Sequence, residues 1–133
     1  MFECLVLGDS IAVGIGQHLS QCKTYAKVGI TSHGWVNSYL RDGLDAKHTI
    51  ISLGANDSSF ITGATRSYLK SIRDNLSGRV YWVLPANNEA IRAVIEEIAK
   101  ARGDVVFPIR ETIRDGVHPT SREYRRLAEQ TKP

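Results

Sequence analysis

Five short apolar runs, each cut off by a glycine or a proline, constrain this chain more than any other feature. They are Leu5-Val6-Leu7 before Gly8, Tyr25-Ala26-Lys27-Val28 before Gly29, Thr49-Ile50-Ile51-Ser52-Leu53 before Gly54, Val80-Tyr81-Trp82-Val83-Leu84 before Pro85, and Val105-Val106-Phe107 before Pro108. Runs this short, rich in β-branched, aromatic and leucine residues, suit strands of a parallel sheet covered on both faces. Between them the apolar period changes to that of a helix. In the stretch Glu89–Arg102, Ile91, Val94, Ile95 and Ile98 recur at helical spacing, with Asn88 as cap and Gly103 as stop. Tyr68, Leu69, Ile72 and Leu76 mark a second helix ended by Gly78, and Trp35, Val36, Tyr39 and Leu40 a third. The last helix starts near Ser121 and turns Tyr124, Leu127 and Ala128 inward. Its opening, Thr120-Ser121-Arg122-Glu123, has the spacing of a capping box. Strand and helix alternate along the whole chain, which predicts an open parallel sheet with helices on both faces, an α/β/α sandwich of three layers.

The 133 residues fit one domain, 1–133, with no repeat, low-complexity tract or linker. A chain of this length buries enough surface to fold without a disulfide or a metal. Net charge is +3, and the densest basic stretch, Arg122, Arg125 and Arg126, is interrupted by Glu123. A solvated helix face is the expected reading of that stretch. Its rival is a patch meeting an anionic polymer, but nucleic-acid binders concentrate more charge on one run, so no nucleic-acid partner is expected. Cys4 and Cys22 form no CxxC pair and no metal-ligand spacing with His18, His33 or His48, so free, buried thiols are expected rather than a disulfide. The opening Met-Phe-Glu-Cys-Leu-Val-Leu-Gly has no basic segment and too short an apolar run for a signal peptide or a membrane span. A soluble protein without export signal, cytoplasmic by default, is the expectation.

In open α/β sheets ligands bind beyond the carboxyl ends of the strands. Three polar clusters fall there: Gly8-Asp9-Ser10, Gly29-Ile30-Thr31-Ser32 and Gly54-Ala55-Asn56-Asp57. A fourth, Asp115-Gly116-Val117-His118-Pro119, precedes the last helix and can reach the same rim. Ser10 alone is weak evidence, since serine is a common helix cap and Gly-Asp a common turn. A serine hydroxyl becomes a useful nucleophile when a base takes its proton, and the imidazole of His118 can accept and return one. Asp115, three residues earlier, is close enough to hold the other ring nitrogen. The bland alternative is a surface turn capped by an aspartate. The tetrahedral intermediate also needs donors for its negative charge. The backbone N–H groups of Ser10 and Gly29 and the side-chain amide of Asn56 would supply them, with Gly34 close enough to replace Gly29. Otherwise Gly29 merely turns the chain and Asn56 merely caps a helix.

These blocks, Gly8-Asp9-Ser10, Gly29, Gly54-Ala55-Asn56-Asp57 and Asp115-x-x-His118-Pro119, resemble in order the four signature blocks of the SGNH (GDSL) hydrolase superfamily. The resemblance implies a flavodoxin-like sheet and ester hydrolysis, with Ser10 as nucleophile, His118 as base, Asp115 as its partner, and Ser10, Gly29 and Asn56 as the oxyanion hole. It implies no metal or organic cofactor. Ile11 stands where the family usually has leucine. The short connections leave little material for a lid, so a shallow site is expected, suited to a small acyl group such as acetyl on an exposed molecule, for instance a glycan. Trp35, Tyr39 and Phe60 are candidate pocket residues, although core packing is the simpler expectation for Trp35 and Tyr39.

Two other readings come from different classes. Gly8, Gly14 and Gly16 after the first strand suggest a phosphate-binding loop, but Gly-Lys-Ser/Thr is missing and the spacing is not Gly-x-Gly-x-x-Gly. A catalytically idle member of the same fold, used for carbohydrate binding or assembly, would keep the fold and lack the activity.

Overall fold

Strand β1 (Phe2–Gly8) opens the chain as an inner strand of the sheet in the computed structural model, which describes residues 1–133. Along the chain follow α1 (Ser10–Gly16), β2 (Lys23–Ala26), α2 (Ser32–Tyr39), β3 (Ala46–Ser52), α3 (Thr62–Asp74), β4 (Arg79–Leu84), α4 (Glu89–Arg102), β5 (Val105–Pro108) and α5 (Ser121–Thr131). The five strands are parallel in the order β2-β1-β3-β4-β5, the flavodoxin-like order.

Side chains alternate across the sheet, so each strand feeds two cores. Leu5 and Leu7 of β1, Ile51 of β3 and Val80, Trp82 and Leu84 of β4 join α2, α3 and α4 in one cluster. Val6, Ile50 and Val83 join α1 and α5 in the other. The outer strands differ from the buried runs expected from sequence. β2 and β5 are sheet edges and are largely half-buried, and Lys27 and Val28 belong to the turn after β2 rather than to the strand. An edge strand has a neighbour on one side alone, which composition does not reveal.

Helix ends follow the sequence in part. Asn88 caps α4 by accepting from the Ile91 N–H, and Gly103 closes it in the left-handed conformation at φ 72°. α3 stops at Asp74, short of Gly78. In α5, Thr120 Oγ1 accepts from the Glu123 N–H as a capping box requires, but the reciprocal bond is absent. Glu123 is buried and takes the Arg110 N–H and the Arg126 guanidinium instead, while the Thr120 N–H donates to the Glu111 carbonyl.

Cys4 and Cys22 form a disulfide, contrary to the free thiols expected from sequence. The pairing of β1 with β2 matches Leu5 with Lys23, so the residues just before each are cross-strand neighbours, with Cα atoms 4.5 Å apart. That register is a tertiary fact. No helix is long and apolar enough to cross a membrane.

Candidate active site

Gly8 pairs with both Ala26 and Ser52, so the carboxyl ends of β1, β2 and β3 finish level with one another. The turn that follows depends on glycine. At φ 147° and with a Cβ that would fall 1.8 Å from the Ser52 carbonyl oxygen, position 8 admits no side chain. Asp9 then donates its N–H to that carbonyl and caps α1 through the Ile11 N–H, at 3.0 Å each. Its carboxyl is fully buried beneath the rim, and its Oδ2 has no hydrogen-bond partner. Burial pushes its pKa up to about 6, against the lowering effect of the N–H groups that face it. Ser10 is therefore the first residue of α1, with its hydroxyl at the surface of the rim.

Asp115 and His118 sit on a short hairpin-like loop. Thr112 and Pro119 form an antiparallel bridge at its base, and the Ile113 N–H donates to the His118 carbonyl. Glu111 clamps the loop from outside, accepting the Thr120 hydroxyl at 2.6 Å and the Arg122 guanidinium. Those contacts hold its carboxyl down to about 2, the Arg122 bond being the largest cause. Asp115 Oδ1 accepts the N–H groups of Val117 and His118 at 2.9 and 3.0 Å. Its Oδ2 meets His118 Nδ1 at 2.6 Å, and His118 Nε2 meets Ser10 Oγ at 2.8 Å. The carboxylate thus fixes the proton on Nδ1 and leaves Nε2 as acceptor for the serine hydroxyl. The same bond, foremost, holds the Asp115 carboxyl down to about 2.

The candidate anion donors also gather at the rim. Gly29, at φ 79°, makes the turn after β2, and neither its N–H nor that of Ser10 is used within the chain. The Gly34 N–H, by contrast, is committed to Thr31 Oγ1 at 3.0 Å as part of the α2 cap. Asn56 is exposed and caps no helix. Its amide donates to the Ile30 carbonyl at 3.1 Å, tying the loop after β3 to the loop after β2 and leaving one amide hydrogen over.

Sequence reasoning quoted Asp57 but gave it no task. Its carboxylate accepts the Ser32 N–H and the Thr65 hydroxyl, at 2.9 Å each, so it locks the Asn56 loop onto α2 and α3. Phe60, a pocket candidate, stands 95% exposed and lines neither hollow beside the rim, whereas Ile61 and Tyr68 line the one that contains Asn56. Trp35 is fully buried and Tyr39 packs against it. Gly14 packs on α5: a Cβ there would meet the Tyr124 ring at 2.3 Å, so this glycine serves helix packing. Missed altogether were His18, Tyr124 and Arg125, which share a cleft of about 550 Å³ with Ser10 and His118. Arg125 alone had a sequence signal, the basic run on the last helix; nothing in the local pattern marked His18 or Tyr124 as cleft residues. No group of three or more His, Cys, Asp or Glu side chains is gathered as a metal site would require.

No protein-family model matches this chain, and no curated protein matches it in sequence. Among solved structures, the fold is similar to that of a protein from Bacteroides fragilis NCTC 9343 described provisionally as an acylhydrolase. The two share 16% identity at a TM-score of 0.70, over 96% of this chain and 83% of that one. At that identity the likeness concerns the fold.

Proposed function

We propose that this protein is a serine esterase of the SGNH type, with Ser10 as nucleophile, His118 as base and Asp115 as its partner. The observation that carries the reading is the continuous line of hydrogen bonds from Asp115 through His118 to Ser10, at 2.6 and 2.8 Å, on the strand rim. His118 Nε2 takes the hydroxyl proton while Ser10 Oγ bonds to the ester carbonyl carbon and the carbonyl electron pair moves to oxygen. The unused N–H groups of Ser10 and Gly29, with the remaining Asn56 amide hydrogen, stabilise that oxyanion. As the intermediate collapses, the bond to the alcohol breaks and His118 returns its proton to the departing oxygen. Water then attacks the acyl-enzyme with the same help and releases the acid. Asp115 stays charged throughout and stabilises the imidazolium.

The short connections after the strands leave little material for a lid over the rim, which supports a small acyl group such as acetyl, carried on an exposed molecule such as a glycan. A preference for octanoyl over acetyl esters would count against that size limit. The Cys4–Cys22 disulfide supports action in an oxidising compartment rather than in the cytoplasm.

The test is hydrolysis of p-nitrophenyl acetate by the wild type and by Ser10→Ala, with folding checked by circular dichroism. The expected loss in the variant is at least about 10³-fold. Asn56→Ala in the same assay should lower kcat by about 10²–10³. Equal activity in wild type and Ser10→Ala removes the mechanism. A folded wild type that neither turns over esters nor reacts with a fluorophosphonate belongs to the idle, binding use of this fold.

A further inference from the structure

Three arginines crowd the first half of α5, and their fates differ. Arg122 forks onto Glu111, and Arg126 onto the buried carboxylate of Glu123. Both are structural ties, one holding the Asp115–His118 loop and the other the end of β5. Arg125 forms no ion pair and no hydrogen bond, and it stands exposed on the wall of the cleft that holds Ser10 and His118. His18, in the turn just after α1, lines the same cleft. The hollow runs on past His18 and Arg125 to Lys132, which is already paired with Glu129 at 2.9 Å. The carboxylates nearby are occupied in the same way: Glu129 by Lys132, Asp115 by His118. Arg125 is thus a fixed positive charge left without a counter-ion beside the candidate nucleophile.

The chemistry of acyl transfer says which half of the substrate meets it. His118 delivers its proton to the departing alcohol, so the alcohol half must leave along the His118 side of Ser10. The Asn56 hollow, on the oxyanion side, shares no lining residue with this cleft. Resting on the esterase reading, we propose that Arg125 is a specificity-determining residue that binds an anionic group, carboxylate or phosphate, on the alcohol half of the ester. The substrate class is then an O-acyl ester of an acidic alcohol. A guanidinium matches either group bidentately, and His18 offers a further donor from the opposite wall.

The experiment compares kcat/KM for three acetyl esters: 4-acetoxybenzoate, its uncharged methyl ester, and 4-acetoxyphenyl phosphate. Each is measured with wild type, Arg125→Gln, Arg125→Lys and Ser10→Ala. Intrinsic reactivity cancels when the charged-to-uncharged ratio is compared between proteins. Arg125→Gln should lower that ratio about tenfold, chiefly through KM, as expected for a hydrogen-bonded charge pair. Arg125→Lys should keep part of the preference, and salt at about 1 M should erode it in the wild type by screening. The arm with the larger change, carboxylate or phosphate, identifies the source of the charge. The same ratio in Arg125→Gln as in wild type, or an equal loss on all three esters, overturns the proposal while the Ser10 dependence still supports the esterase. If the wild type cleaves none of the three and takes no fluorophosphonate label, the esterase reading fails and this proposal falls with it.

Discussion

The two faces of the sheet are held by different means. On one, α2, α3 and α4 close over a core of 19 buried residues that includes Trp35 and Trp82. On the other, α1 and α5 cover a core of 9. The thinner face compensates with polar and covalent ties: the Cys4–Cys22 disulfide, the buried His48 ring donating to the Thr131 carbonyl, and Glu123 gripping Arg126 and the Arg110 N–H. That face also carries Ser10 at the start of α1 and the Asp115–His118 loop just before α5. Hydrocarbon packing on one side therefore stabilises a scaffold whose other side is free to hold exposed, hydrogen-bonded side chains. The thick face is not wholly apolar: Arg73 and Asp104 form a nearly buried pair, and Asp104 also accepts the Trp82 indole N–H at 3.0 Å.

The contrast can be tested from both sides. Trp82→Ala removes one of the two tryptophans from the thick core and leaves Asp104 without its indole donor. It should cost about 3–5 kcal/mol in unfolding free energy, read by urea titration. A loss below about 1 kcal/mol would mean that the thick face does not carry the fold. On the thin face, reducing the disulfide frees two residues 18 apart in sequence and should cost about 3 kcal/mol, read as a lower urea midpoint with reductant present. No shift in midpoint would deny the disulfide its compensating role.

The smallest effect is a gain. The Asp9 carboxyl has a folded pKa of about 6, above its ordinary 3.8, so the folded protein holds a proton between those values that the unfolded chain releases. Stability from this group is thus full below about pH 4, declines as pH rises toward 6, and above that the buried charge remains as a standing cost. Asp9→Asn keeps a side-chain oxygen for the Ile11 N–H and removes the charge. It should raise stability on the order of 2 kcal/mol at pH 8, a gain that fades toward pH 4 in thermal melts. A variant less stable than wild type at pH 8 would show that the charged cap outweighs its burial.

Much of the candidate site was legible because its residues lie at strand ends. A glycine that cuts an apolar run marks where a parallel strand stops, and the next polar residue is then at the rim. That logic brought out Ser10, Gly29 and Asn56, and the i, i+3 spacing brought out Asp115 with His118. The choice between Gly29 and Gly34 was open in sequence; Thr31 engages the Gly34 N–H and the Gly29 N–H is unused, which favours Gly29 as the proposed donor. Phe60 misled because an aromatic beside a functional block looks like a pocket wall, whereas its loop points it into solvent.

The amino-acid sequence alone determined the alternation of strands and helices, the α4 caps and the rim positions, since these follow from local periodicity and from which residues tolerate a turn. Strand order and register belonged to tertiary structure, and with them the Cys4–Cys22 disulfide, the edge character of β2 and β5, and the diversion of Glu123 from its cap. So did the separation of the three α5 arginines into two paired and one unpaired. Each depends on a partner distant in the chain, and a polar group's role is set by which partner comes within hydrogen-bonding distance.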